Sequence, residues 1–134
     1  MLFLIHRHNP ELTYQGGQEP IIHLESDMHA VVSWANANHR RCAFTLSNAG
    51  AYYFEDRADL AQLGEVNWPA VQARDWRGGL KEGKQAEFLL EQDFPWQLVE
   101  RIGVSSRRVH GLVANTLPVN GHRPPVQILP DWYY

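Results

Sequence analysis

The apolar residues of this chain arrive in short runs, each closed by a turn-forming cluster. That spacing confines it to short strands and short helices. Met1-Leu2-Phe3-Leu4-Ile5 gives way at once to His6-Arg7-His8, and no run approaches the roughly 18 residues needed to span a bilayer. A signal peptide is longer and carries its basic residues ahead of the apolar stretch. The opening therefore reads as a buried strand that begins abruptly at residue 1.

Residues 9–19, with Pro10 and the Gly16-Gly17 pair, read as a loop. Pro20-Ile21-Ile22-His23-Leu24 reads as a second strand. Ser26 is a plausible N-cap for a helix whose apolar face is Met28, Val31, Val32 and Ala35, ending at residues 36–38. Arg41-Cys42-Ala43-Phe44-Thr45 reads as a third strand, followed by a Ser47-Asn48-Ala49-Gly50 turn. Tyr52-Tyr53-Phe54 and Leu60 to Leu63 suggest a packed loop or short helix. Asn67 and Pro69 mark the start of a helix that Trp76-Arg77-Gly78-Gly79 breaks.

Residues 84–91 read as a strand, 95–101 as a helical turn and 102–104 as a brief strand. Ser105 or Ser106 would cap a helix to about Leu117. Residues 118–125, with three prolines, form a linking loop before a closing strand at 126–129. Strands interleaved with short helices, without regular alternation, predict an α+β fold with a largely antiparallel sheet. Phe44, Phe88, Leu90 and Ile102 are its expected core.

With 134 residues, 44% of them hydrophobic, the chain suffices for one domain (1–134) and is too short for two. Five Trp and five Tyr supply large buried areas, and the single Cys42 excludes an internal disulfide. This agrees with a cytoplasmic location. The net charge of −3 is the wrong sign for general nucleic-acid binding through a basic surface. It leaves room for a local basic cleft, and Arg74, Arg77, Lys81 and Lys84 fall within eleven residues.

Several segments in order resemble the DarT family of DNA-modifying ADP-ribosyltransferase toxins. They are Met1-Leu2-Phe3-Leu4-Ile5-His6-Arg7, Gly16-Gly17-Gln18-Glu19-Pro20, Ala43-Phe44-Thr45-Leu46-Ser47-Asn48-Ala49, and Tyr53-Phe54 with Asn67-Trp68. The strongest is Lys84-Gln85-Ala86-Glu87-Phe88-Leu89-Leu90, followed by Pro95-Trp96, Glu100-Arg101-Ile102-Gly103-Val104 and the closing Asp131-Trp132-Tyr133-Tyr134. The resemblance implies an ADP-ribosyltransferase-like mixed or antiparallel sheet with short helices. Family members are longer at the N-terminus, with a His-containing first strand and an Arg near the reaction centre. Met1 aligns with an internal Met of the family, at a cofactor-binding position, so the expectation is a C-terminal portion without its N-terminal strands.

The resemblance further implies NAD as substrate, single-stranded DNA as partner and thymidine as acceptor. Glu87 is the expected catalytic residue. Its carboxylate would stabilise the oxocarbenium-like ribose as nicotinamide leaves, and help remove a proton from the base. Alternation puts Ala86 and Phe88 toward the core and turns Gln85, Glu87 and Leu89 to the other face. Trp76 would stack on an unpaired base, and Arg74, Arg77, Lys81 and Lys84 would meet phosphates. Asn48 stands where relatives carry His or Asn, without the proton a His would donate. A macrodomain-type antitoxin is the implied protein partner.

Other constellations carry less. His6 and His8 on one strand face, with His23 elsewhere, permit a three-His site geometrically, but no Cys pair or Glu-rich set accompanies them, and no metal is expected. Cys42 reads as a small buried hydrophobe. The glycine pairs match no dinucleotide or phosphate-loop fingerprint. Three readings stand side by side: the DNA-modifying enzyme, a non-catalytic remnant or binding module of the same fold, and a related transferase acting on RNA or protein. The 134-residue chain is expected to be weakly active or inactive by itself. A sheet lacking strands is expected to expose Leu2 and Leu4 and drive homo-oligomerisation.

Overall fold

The computed structural model describes residues 2–74 and 79–134. In chain order the elements are α1 (Leu2–His6), β1 (His23–Glu25), α2 (Met28–Ala37), β2 (Cys42–Thr45), β3 (Asp56–Arg57), a 3-10 helix at Leu60–Glu65, α3 (Trp68–Gln72), α4 (Leu80–Gly83), β4 (Phe88–Leu90), a 3-10 turn at Trp96–Leu98, β5 (Arg101–Val104), α5 (Arg107–Thr116), β6 (Val126–Ile128) and a 3-10 turn at Pro130–Trp132. Helices and strands mix without regular alternation, as an α+β chain requires. No helix among the described residues is long and apolar enough to cross a membrane. The expectations for Met1, Trp76 and Arg77 lie outside the described residues.

The chain forms two compact units. The first comprises Met1–Asp27 with Pro95–Tyr134. Its sheet runs β1-β5-β6, antiparallel between β1 and β5 and parallel between β5 and β6. Val99, Ile102, Val104 and Val109 are buried together, with Trp96, Val113, Leu117 and Val126 packed around them. Ser106 caps α5, its hydroxyl accepting from the Val109 amide at 3.3 Å. Glu25 and Arg101 face each other in register and pair their side chains, and the guanidinium lies 5.2 Å over the Trp132 ring. Gly103 is obligatory on steric grounds, because a Cβ there would stand 2.6 Å from Trp132.

The expected opening strand is a helix. A five-residue apolar run carries no period that separates helix from strand, and a helix satisfies its own backbone groups without a partner strand. The Arg7 amide bonds the Phe3 carbonyl at 3.0 Å. His8, at φ 49°, ends α1, with the Asn9 amide returning to Leu4 and its own to Ile5. This removes the strand face on which His6 and His8 were to lie together. It also removes the strand edge at Leu2 and Leu4, although Leu4 remains exposed. The expected strand at 20–24 begins only at His23, since Pro20 has no amide hydrogen to give and the Ile21 amide closes a turn onto Gln18.

The second unit is Met28–Phe94, with a fully antiparallel sheet in the order β3-β2-β4. Val31 and Ala35 are the buried face of α2, and His39 at φ 54° ends that helix as His8 ends α1. Asn67 caps α3 through the Ala70 amide at 3.0 Å, with Pro69 in the first turn. Ser26, expected to cap α2, gives its hydroxyl hydrogen to the Leu98 carbonyl. The strand expected at 84–91 is shorter, because the amides of Lys84, Gln85 and Ala86 are used in α4 and the turn after it. Phe44, in central β2, is buried, whereas Phe88 and Leu90 are only half-buried because β4 is an edge strand.

Candidate functional site

The second unit holds Glu87 one residue before β4, directly across from the last residue of β2. Thr45 clamps it through two bonds. Its amide donates to the Glu87 carbonyl at 2.8 Å, and its hydroxyl accepts from the Glu87 amide at 2.9 Å. That hydroxyl gives its own hydrogen to the Ser47 carbonyl at 2.6 Å. Thr45 is fully buried, so these bonds are made away from competing water. The backbone of Glu87 is therefore fixed on both sides while its side chain is exposed.

The predicted alternation holds here, with Glu87 and Leu89 exposed and Phe88 and Leu90 turned inward. Gln85 falls outside it, in the turn. Glu87 stands at the rim of a cavity of about 100 Å³ whose walls include Phe44, Leu63, Val66, Trp68, Val71 and Phe88. That volume accommodates several water molecules or part of a planar ring. The Trp68 indole nitrogen is engaged with the Leu63 carbonyl at 2.9 Å, which turns the ring's carbon framework to the wall.

Asn48 lies three residues beyond Thr45, at the same end of the sheet as Glu87. Its side-chain oxygen accepts from the Gly50 amide at 2.8 Å, so this oxygen shapes its own turn. Arg74 and Lys81 are exposed, flanking the 75–78 segment. Lys84 is half-buried, and its ammonium donates to the Ala73 carbonyl at the end of α3. At the end of β3, Arg57 is held between Glu55 and Glu65, at 2.9 and 2.7 Å, and this pairing keeps the Glu65 carboxyl below the usual carboxylate range. Among the described residues no group of three His, Cys, Asp or Glu side chains is placed to hold a metal ion.

Sequence reasoning singled out Glu87 but not Thr45, which reads as an ordinary strand residue until the register is known. It also passed over Tyr52 and Tyr53 as packed residues, whereas both are almost fully exposed.

The protein-family model described as ssDNA thymidine ADP-ribosyltransferase, DarT, matches residues 1–134. A DNA ADP-ribosyl transferase of Thermus aquaticus (strain ATCC BAA-2747 / Y51MC23) is 37% identical over 136 residues, covering 100% of this chain and 58% of the relative. A DNA ADP-ribosyl transferase of Thermus sp. (strain 2.9) is 41% identical over 144 residues, covering 100% of this chain and 63% of the relative. The chain thus spans about three fifths of the length of these relatives. Among solved structures, Thermus sp. 2.9 DarT in complex with carba-NAD+ superposes with a TM-score of 0.84 at 36% identity, over 99% of this chain and 67% of that one. The same relative in complex with ADP-ribosylated ssDNA gives 0.85 at 36% identity, over 99% and 63%. On the match along its whole length, the chain belongs to the DarT family.

Proposed function

We propose that this chain belongs to an NAD-dependent ADP-ribosyltransferase that modifies thymidine in single-stranded DNA, with Glu87 as its catalytic carboxylate. The observation that carries the reading is the Thr45 clamp, which fixes the backbone of an exposed glutamate beside an apolar wall. In support, the Thermus relatives are DNA ADP-ribosyl transferases, and the solved relative binds carba-NAD+ and ADP-ribosylated ssDNA. The matched segment would be the C-terminal portion of the family's domain, with residues 1–134 acting as a single domain.

In the reaction, the bond between ribose and nicotinamide breaks, nicotinamide leaves with the bonding pair, and the ribose carbon joins the thymine base. The base gives up one proton. Glu87 stabilises the positive charge that develops on the ribose and accepts that proton. The apolar wall strengthens the first effect by keeping high-dielectric water from part of the carboxylate's surroundings. Met1 would contact NAD, and Asn48, Arg74, Trp76, Arg77, Lys81 and Lys84 would track the DNA strand. A toxin of this type would act in the cytoplasm and be opposed by a macrodomain-type antitoxin, and the exposed Leu4 would contribute to self-association.

The test is incubation of the chain, alone and joined to the N-terminal portion of a Thermus relative, with labelled NAD and single-stranded oligonucleotides. Label should reach only thymidine-containing DNA, and Glu87→Ala should lower transfer by ~100- to 1000-fold. Label on thymidine-free DNA, or undiminished transfer by Glu87→Ala, overturns the acceptor or the catalyst respectively.

A further inference from the structure

The connection between β2 and β3 carries a feature that the reaction at Glu87 leaves unused. The Leu46 amide donates to the Glu55 carbonyl at 3.0 Å, one step beyond the Thr45–Asp56 pair, and pins the ends of the loop together. Inside this closure stand Tyr52 and Tyr53, with 90% and 86% of their surfaces exposed. Their rings meet edge to face, centroids 4.7 Å apart and planes at 85°. Solvent-exposed aromatic rings side by side on a loop add little to folding, because their apolar faces stay in water.

We propose that Tyr52 and Tyr53 form a stacking platform for an unpaired nucleobase of the DNA strand that carries the acceptor thymidine. This rests on the function proposed above for Glu87. The T-shaped arrangement presses the edge of one ring on a face of the other and leaves outward faces open for a planar heterocycle. In a duplex both faces of a base are covered by its neighbours, whereas a single strand offers them.

Chain connectivity limits the distance. Tyr52 is three residues from Glu55, so it lies at most about 11 Å from the loop's base. That base adjoins the Thr45–Glu87 clamp. The platform therefore serves a base close along the strand to the modified one. The chain runs on from the rings through Glu55, Asp56, Arg57 and Asp59, and Arg57 is taken up by Glu55 and Glu65, a stretch that does not attract phosphate. The contact is thus with the base's face, the sugar–phosphate chain running on the far side. The other source of the same chemistry is the adenine of NAD.

The experiment measures binding of a fluorescent thymidine-containing single strand to the chain, comparing Tyr52→Ala, Tyr53→Ala, Tyr52→Phe and Tyr53→Phe with the unaltered protein. Each alanine variant should bind about 5- to 100-fold more weakly, and each phenylalanine variant about as tightly as the parent. The slope of log affinity against log salt should be unchanged, because stacking releases no counterions. Abasic substitution next to the thymidine should weaken binding to the parent and leave the alanine variants with no further loss. Binding of NAD by itself should be the same in all variants. The Phe variants and the abasic strand keep the test valid should an alanine variant unfold.

Equal oligonucleotide affinity in parent and alanine variants overturns the platform alone. So does a loss confined to NAD, which would assign the rings to the adenine, or a change confined to the molecular mass in light scattering, which would assign them to a protein contact. A parent chain that binds no single strand overturns the proposed function, and the platform with it.

Discussion

Thr45 and Glu87 hold each other by the backbone across the end of a three-stranded sheet, with the Thr45 hydroxyl between the Glu87 amide and the Ser47 carbonyl. A buried hydroxyl serving as acceptor and donor at once is difficult to replace. Thr45→Val keeps the shape of the side chain and leaves the Glu87 amide and the Ser47 carbonyl unsatisfied. The expected stability loss is ~1–3 kcal/mol, read as a lower urea midpoint. In a form of the protein active in transfer, turnover should fall by ~10- to 100-fold as the backbone that carries the carboxylate loses its fixed position. Thr45→Ser should retain most of both. A valine variant as active and stable as the parent would show that the clamp positions nothing.

The stability of the first unit should depend on pH through His23. Its ring packs against Trp132 and Tyr133, with centroids 5.7 and 4.8 Å away, and Nε2 is buried without a hydrogen-bond partner among the described residues. Burial pushes its pKa below the ordinary 6.5. The unfolded chain therefore takes up a proton at a higher pH than the folded one. The sign follows: stability is full above about pH 6.5 and declines as pH falls from there through the folded pKa. The carboxylates of Glu19 and Glu25, held low by arginine partners, add their own loss only at more acid pH. Urea midpoints between pH 7.5 and 5 should decline for the parent and stay flatter for His23→Phe. Parallel profiles would mean that His23 binds its proton equally well in the folded and the unfolded chain.

Two lysines near the 75–78 segment should behave differently. Lys84 reaches the Ala73 carbonyl at the end of α3, where cations are favoured, so Lys84→Met should lower the unfolding midpoint. Lys81 is exposed, and Lys81→Ala should leave stability within ~0.5 kcal/mol. If Lys81 meets a phosphate, the same change should reduce the salt slope of single-strand binding by about one unit. An unchanged slope would remove Lys81 from the DNA path.

Local chemistry was legible wherever a residue acts on its own neighbours. Asn67 and Ser106 announce their helices because capping is a contact over three residues, and Met28, Val31, Val32 and Ala35 announce α2 by their spacing. Glu87 was legible through the resemblance carried by its flanking motif, and its exposure through the alternation of β4. Tertiary structure decided the rest. Whether the apolar run after Met1 coils or extends depends on the availability of a partner strand, which no five-residue pattern encodes. Phe88 is half-buried because β4 ends up at an edge, and position in a sheet is fixed by pairing rather than by composition. Thr45 becomes the holder of Glu87 only when residues 42 positions apart are brought into register. The exposure of Tyr52 and Tyr53, in a loop closed by the Leu46–Glu55 hydrogen bond, is likewise something sequence alone does not reveal.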